Sequence, residues 1–249
     1  MPFAIHRGQR IHYVVQGAGD VVVLQHGLLL DSTSWDQGGI VDAMTGQYRV
    51  VCIDSLGHGL SDKPSDASLY GQEERAGDVV AVLDAIGCER AHVVGHSMGG
   101  WLAVGLAKFH PRRLASLVVG GWDVVKGLPE GKKGRLRFED FMAFARRTAP
   151  KLTEWVTSDF EPGVRACFDA LSQLDGARAA LISAGVPVML WNGRNDLAHD
   201  RMKTFAATEG LKFLSVEGDH LGVIFRHSSE SATGIRSFLA TSAPVGHAM

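Results

Sequence analysis

The stretch Ala91-His92-Val93-Val94-Gly95-His96-Ser97-Met98-Gly99-Gly100 decides how the rest of the chain is read. Ala91–Val94 reads as a strand, and Met98 to His110 reads as a helix. A serine on the sharp turn between such a strand and such a helix has its hydroxyl exposed, and the turn imposes strained backbone angles on it. Residues two positions away come close to that serine and must be small, a demand met by Gly95 and Gly99. The helix points its N-terminus and free amides at the place where negative charge would develop. The pentapeptide alone is weak evidence, because the chain holds 30 glycines in 249 residues and G-x-S-x-G arises readily by chance. Its weight comes from residues elsewhere in the chain.

Short β-rich runs alternate with helical ones on either side of it. Ile11–Gln16 alternates in polarity and reads as an early antiparallel strand. Val21–Gln25 and Val50–Ile53 are almost wholly apolar, as strands buried on both faces should be. Leu117–Val119 and Val186–Leu190 repeat that pattern, and Lys212–Val216 reads as a last strand. Ala76, Val79, Val80, Leu83 and Ile86 mark one face of a helix, and Glu230–Leu239 has helical character. The alternation predicts an α/β fold, a mostly parallel central sheet with helices on both faces.

Residues 122–184 break the rhythm and read as a small helical cap insertion within a single domain spanning 1–249. No strand is expected there. The segment carries a basic, Gly-rich stretch (Lys126, Lys132, Lys133, Arg135, Arg137), read as a solvated face. Phe138, Phe141, Met142 and Ala145 follow at helical spacing, and a second helical stretch is expected near Val164–Leu181. The tail after Ala240 is expected to fray.

Open parallel sheets place their sites at the C-terminal ends of their strands. Ser97, Asp196 and His220 each sit just past an inferred strand, in the order Ser, Asp, His. A serine hydroxyl is a poor nucleophile until a base takes its proton, and a histidine can do so near neutral pH. The imidazole then needs a carboxylate to fix its tautomer and balance its developing charge. Asp196 fills that role; Asp123, which follows the strand ending near Gly121, is its rival. The oxyanion of a tetrahedral intermediate needs preorganised donors: the amide of Met98 is one, and that of Leu28, turned by Gly27 in the loop after Val21–Gln25, is the other. Leu29, Trp35, Trp122 and Leu221 are candidates for the substrate-binding wall, with Phe138, Phe141 and Trp155 as further aromatics that could line it. His26 and His58 read as braces for the loops, and His96 as a residue at the site margin. His92 and His96 are not expected to form a metal pair.

With these residues assembled, the chain resembles the α/β-hydrolase superfamily over essentially its whole length. The resemblance rests on His26-Gly27 with Trp35 downstream, Asp54-x-x-Gly57-His58-Gly59-x-Ser61-Asp62-Lys63-Pro64, Gly95 to Gly100, Gly193-Arg194-Asn195-Asp196 and Gly218-Asp219-His220. It is strongest to compact esterase-like members that are often grouped with epoxide hydrolases and dehalogenases. Those two activities normally use an aspartate at the elbow, and Ser97 argues against both. The resemblance implies hydrolysis of a carboxylic ester or related acyl bond through an acyl-enzyme, with no metal and no cofactor. The same machinery serves lactones, amides, thioesters, carbon–carbon cleavage and acyl transfer, and some relatives only bind a small ligand. The chain departs from the pattern after His220, where Leu221-Gly222-Val223-Ile224-Phe225 lacks an acidic, proline-containing run, and in an insertion shorter than many caps.

Bulk properties narrow the classes. The chain is 45% hydrophobic and 21% charged, with a net charge of −2, which argues against a nucleic-acid or polyanion partner. Cys52, Cys88 and Cys167 are far apart and odd in number, so no disulfide framework or thiolate metal site is expected. Gly17-x-Gly19 lacks the rest of a dinucleotide motif. The first ten residues lack an apolar signal core and no run is long enough to span a bilayer, so no membrane association and a cytoplasmic setting are expected. The expected partner is a small acyl substrate; the sequence sets no oligomeric state.

Overall fold

The computed structural model describes residues 1–131 and 134–242. Lys132 and Lys133 of the basic stretch, and the part of the tail after Ser242, lie outside the described residues. Strands β1 (Phe3–His6), β2 (Gln9–Gln16), β3 (Asp20–Gln25), β4 (Tyr48–Ile53), β5 (Ala91–His96) and β6 (Leu114–Gly120) are followed by a minimal ladder of β7 (Glu130–Gly131) with β8 (Gly134–Arg135), and then by β9 (Val188–Gly193) and β10 (Lys212–Val216). The main sheet has eight strands in the order β1-β2-β4-β3-β5-β6-β9-β10. The β1/β2 and β2/β4 pairs are antiparallel, and every pair from β4 to β10 is parallel. This is the α/β architecture expected from the alternation of apolar runs. β1 was not expected, nor was the β7/β8 ladder in a segment expected to hold no strand.

The helices are α1 (Thr33–Gln37), α2 (Ile40–Thr45), α3 (Gln72–Ala85), α4 (Met98–Phe109), α5 (Phe138–Thr148), α6 (Glu161–Ala170), α7 (Ala177–Ser183), α8 (His199–Glu209), α9 (Gly222–Phe225) and α10 (Ser228–Ala240). Period-two alternation divides the strands between two cores. Val21, Val23, Val51, Val93, Leu117 and Val119 face α3, α4, α7 and α8. Val22, Leu24, Val50, Val94, Val118 and Trp191 face α1, α2, α9 and α10. A third cluster joins Leu29 to Phe138, Met142, Val156, Val164 and Phe168, so α5 and α6 pack on the loop that follows β3. The single helical stretch expected near Val164–Leu181 is broken into α6 and α7, because Gly176 takes a left-handed φ of 76° just before α7. Among the described residues no helix is long and apolar enough to cross a membrane.

The glycines around Ser97 act through space. A Cβ on Gly95 would collide with the Gly99 carbonyl, and one on Gly99 with the Gln25 carbonyl at the end of β3. Gly99→Ala should therefore cost about 3 kcal/mol or more in urea unfolding. Gly46→Ala, where a Cβ meets nothing within 4 Å, should change stability by no more than about 0.5 kcal/mol. Equal effects at the two positions would show that α4 does not press on β3 as described.

Candidate active site

Ser97 occupies the turn between β5 and α4 with φ 58° and ψ −118°. Its amide donates to the Gly120 carbonyl at 2.8 Å, and its carbonyl accepts the Trp101 amide at 3.1 Å. The hydroxyl is thus carried on a strained residue whose backbone is held from both sides. Met98 begins α4, so its amide belongs to the helix's unpaired first turn.

The loop after β3 lies directly against this turn. A Cβ on Gly27 would be 3.2 Å from Ser97 Cβ, so Gly27 is required for close approach. The residue with the left-handed backbone is Leu29, at φ 68°, and Leu30 N closes a turn onto Gly27 O at 3.2 Å. The bend that the sequence suggested for Gly27 is therefore made by Leu29. Leu28 is half-buried and packs against both the main core and the cluster under α5 and α6.

Three polar groups hold that loop from below. Asp54 accepts the amides of Ser32 and Leu60, each at 2.8 Å, and the His12 imidazole, also at 2.8 Å. Burial pushes its carboxyl up, but the amide bonds outweigh burial and hold it below the ordinary range. A Cβ on Gly59 would collide with this carboxylate, which explains the Gly in the Asp54–Pro64 motif. His26 donates from Nδ1 to Gly27 O at 2.8 Å and accepts the Ser55 amide at Nε2 at 3.0 Å. His58 lies 5.3 Å from the His26 ring and 5.4 Å from Trp155. Burial lowers both imidazoles from 6.5, His58 strongly. Both histidines are structural braces in this geometry.

At the far end of the sheet, His220 Nδ1 donates to Asp196 Oδ2 at 2.7 Å. Asp196 Oδ1 accepts the Ala198 amide at 2.8 Å. Burial raises the Asp196 carboxyl, but His220 and this amide outweigh burial and hold it below the ordinary range. The Asp196 side chain is 6% exposed and that of His220 is 43%, so the pair is anchored at the acid and open at the base. Among the described residues no hydrogen bond joins Ser97 Oγ to His220; such contacts tighten when substrate is bound. The link between the two is His96, which follows Gly95 on β5 and whose ring centroid is 4.8 Å from that of His220.

Asp123 is committed elsewhere. Its carboxylate accepts the amides of Val125 and Lys126 at 3.0 and 2.8 Å and pairs with Arg201 on α8. Nothing in the sequence marks Arg201 as its partner, because the two are 78 positions apart.

The candidate wall residues separate. Leu221 is half-buried just before α9, next to His220. Trp122 is 4% exposed and its Cβ lies against Gly100. Leu29 is 6% exposed within the cluster under α5 and α6, and its carbonyl accepts the Trp155 indole at 3.2 Å. Trp35 does not line the site: it is fully buried in the core on the other face of the sheet, in the cluster that also holds Ile40, Met44 and Val223, because α1 packs on that face. Phe138 meets Phe168 edge-on and Phe141 packs against it at a tilt, inside the segment between β6 and β9. His92 and His96 share a face of β5, but four residues along a strand separate them by about 13 Å, and His92 is bonded to Ser116. Lys126, Arg135 and Arg137 are exposed.

Comparison with known proteins fits this geometry. The family model for the alpha/beta hydrolase fold matches residues 20–162, and the chain belongs to that family. It is 40% identical over 145 residues to epoxide hydrolase B of Mycobacterium tuberculosis, a match covering 54% of this chain and 40% of that one. The chain thus spans about two-fifths of that relative's length. It is 30% identical over 215 residues to 2-hydroxymuconate semialdehyde hydrolase of Pseudomonas sp. (strain CF600), covering 77% of this chain and 76% of the relative. The enol-lactonase of Burkholderia xenovorans LB400 shares the fold, with a TM-score of 0.75 at 24% identity over 96% of this chain and all of that one. The relatives are enzymes.

Two expectations follow. Asp196→Asn should lower the turnover of any activity that depends on Ser97 by about 10³-fold or more, whereas Asp123→Asn should change it less than about 3-fold and act on stability through Arg201. The reverse result would move the acid to Asp123. The second concerns acid. His26, His58 and His96 are fully buried and lowered by burial. The unfolded chain takes protons near the ordinary 6.5 while these folded imidazoles stay neutral, so stability is present above that value and is lost as pH falls below it. The effect is largest for His58 and His96, which burial holds furthest below the ordinary value. Urea unfolding between pH 7 and 5 should show the slope, and His58→Phe should flatten it.

Proposed function

We propose that the protein is a serine hydrolase that cleaves a carboxylic ester or a related acyl bond through an acyl-enzyme. The observation that carries this reading is the short bond from His220 to the buried Asp196 at 2.7 Å, set at the strand ends beside a serine held at φ 58°. In the first half-reaction His220 Nε2 takes the Ser97 hydroxyl proton as Oγ bonds to the acyl carbon. The carbonyl electrons move onto its oxygen, which the amides of Leu28 and Met98 receive. The tetrahedral species collapses, the leaving alkoxide takes the proton from His220, and the acyl group remains on Ser97. A water then repeats the sequence and releases the acid. Asp196 stays ionised throughout and balances the imidazolium.

Family membership supports an enzyme, and the intact set Ser97, His220 and Asp196 supports turnover over simple ligand binding. Leu28 and Leu221, both half-buried, favour an uncharged acyl group. The extended match to the Pseudomonas relative supports one further arm of the assay, 2-hydroxymuconate semialdehyde itself.

The test is intact-mass spectrometry after exposure to a small fluorophosphonate, with turnover of short-chain p-nitrophenyl esters, lactones and 2-hydroxymuconate semialdehyde alongside. One adduct is expected on the wild type and none on Ser97→Ala, and ester turnover should fall by about 10³-fold or more in that variant. A Ser97→Ala protein that hydrolyses the same substrate at the wild-type rate overturns the mechanism. A wild type with neither adduct nor turnover assigns the site to ligand binding.

A further inference from the structure

One buried residue beside the proposed catalytic set has no part in the mechanism above. His96 is 0% exposed and no side chain meets either ring nitrogen; the hydrogen-bonding group that bears on the ring is the backbone of His220. A ring this deeply buried, with no side-chain hydrogen bond, bears on its neighbours chiefly through packing. On one side the His220 ring lies 4.8 Å away at an interplanar angle of 52°, and on another Trp191 lies 5.4 Å away at 58°. Gly121 closes the space: its φ is 56°, and a Cβ there would come within 2.5 Å of His96 Nε2. The Gly121 amide in turn donates to the Trp191 carbonyl at 2.9 Å. The walls of the slot are therefore backbone and a fully buried indole, both unable to give way.

His220 needs such a support. Its hydrogen bond to Asp196 fixes one corner of the ring, and a single bond leaves the ring free to tilt about the Nδ1–Oδ2 axis. At 43% exposure, solvent does not stop that tilt. A flat ring packed against its side does.

We propose that His96 is a positioning residue, a neutral ring held in a rigid slot that keeps the His220 imidazole aligned with Asp196 and turned toward Ser97. Burial first, and the neighbouring His220 second, hold the His96 imidazole well below its ordinary range. It therefore stays neutral and does not repel the imidazolium that His220 becomes. The other ionisable groups at the pair are Asp196, from the loop after β9, and Asp219, on the loop of His220 itself. Asp219 is turned to Arg226 and the Gly222 amide, at 2.6 and 2.7 Å.

The proposal rests on reading Ser97, His220 and Asp196 as the catalytic set, so its test has a readout that needs no catalysis. The short Nδ1–H···Oδ2 bond gives a far-downfield proton resonance, assigned by its loss in Asp196→Asn. In His96→Ala and in His96→Leu, which matches the bulk without the flat ring, this resonance should broaden or vanish. Turnover on the best ester should fall about 10- to 100-fold, with KM within about 3-fold. His96→Phe, flat but without nitrogens, should keep the resonance and recover turnover to within about 5-fold of wild type. If Ala at this position does not fold, the Leu variant carries the comparison. Wild-type turnover and an unchanged resonance in the Ala or Leu variant overturn the positioning role alone. Loss of the resonance in the Phe variant as well assigns the effect to the ring nitrogens and overturns a role through shape. A wild type without Ser97-dependent turnover, whose resonance is nevertheless lost in the Ala and Leu variants, overturns the hydrolase reading and leaves the positioning role standing.

Discussion

A serine can be held at φ 58° only if the surrounding structure leaves it no other course, and much of this site follows from how that is done. A side chain in such a conformation costs roughly 1–3 kcal/mol. The cost is offset by α4, in which every residue from Met98 to Ala107 is buried. The helix can dock only because Gly99 lets it rest on the end of β3 and Gly95 lets the turn close on Gly99. Docking fixes three further things together. It ties the end of β5 to β6 through the Ser97 amide and Gly120. It brings Gly27, and with it the Leu28 loop, against Ser97. It also leaves the slot by Gly121 into which His96 fits. The strand order β3-β5-β6-β9-β10 then sets the Asp196 and His220 loops on the same edge.

Three aspartates each follow the C-terminal end of a parallel strand, and their partners give them different work. Asp54, Asp123 and Asp196 all accept backbone amides, which hold a buried carboxylate in place. What differs is the remaining partner. Asp123 takes a guanidinium, which is always charged and closes the site to proton chemistry. Asp54 takes His12, whose side chain is only 5% exposed and which therefore braces the fold. Asp196 takes an imidazole that is 43% exposed, so of these three aspartates it alone is paired with an imidazole open to solvent. The histidines divide the same way: His26, His58 and His96 are sealed and kept neutral by burial, and His220 faces out.

These distinctions mark the boundary of what the sequence carries. Strands β3, β4 and β6 are legible because burial on both faces demands unbroken apolar runs, and the elbow because sterics leave only glycine at Gly95 and Gly99. β1 is short, lies at the sheet edge and has one exposed face, so Phe3–His6 offers no such run. In sequence only motif context separates Asp196 from Asp123; the structure adds that Asp123 is paired with Arg201, a partner 78 residues away that no local pattern reveals. Trp35 stands one helix beyond the Leu28 loop, and its sequence position does not tell which face of the sheet α1 covers. Leu29 is a leucine with a left-handed backbone, against every local preference, and tertiary packing alone puts it there.

The segment between β6 and β9 is the hardest part to read for the same reason. Several of its attachments run from side chains to distant backbone carbonyls: the Trp101 indole to Gln173 O at 2.9 Å, the Trp155 indole to Leu29 O at 3.2 Å and the Cys167 thiol to Leu56 O at 3.6 Å. Carbonyls belong to every residue, so such bonds leave no trace in residue type. Yet one of them joins the segment to the loop whose amide is proposed to receive the oxyanion. Leu29 is gripped by Trp155 at its carbonyl and by Phe138, Met142 and Phe168 at its side chain, and Leu28 is the residue before it. Repacking α5 and α6 for a different substrate would therefore move the Leu28 amide as well. On the proposed reading, the wall that would choose a substrate and the donor that would stabilise its transition state share one leucine with a left-handed backbone, so a change in one reaches the other.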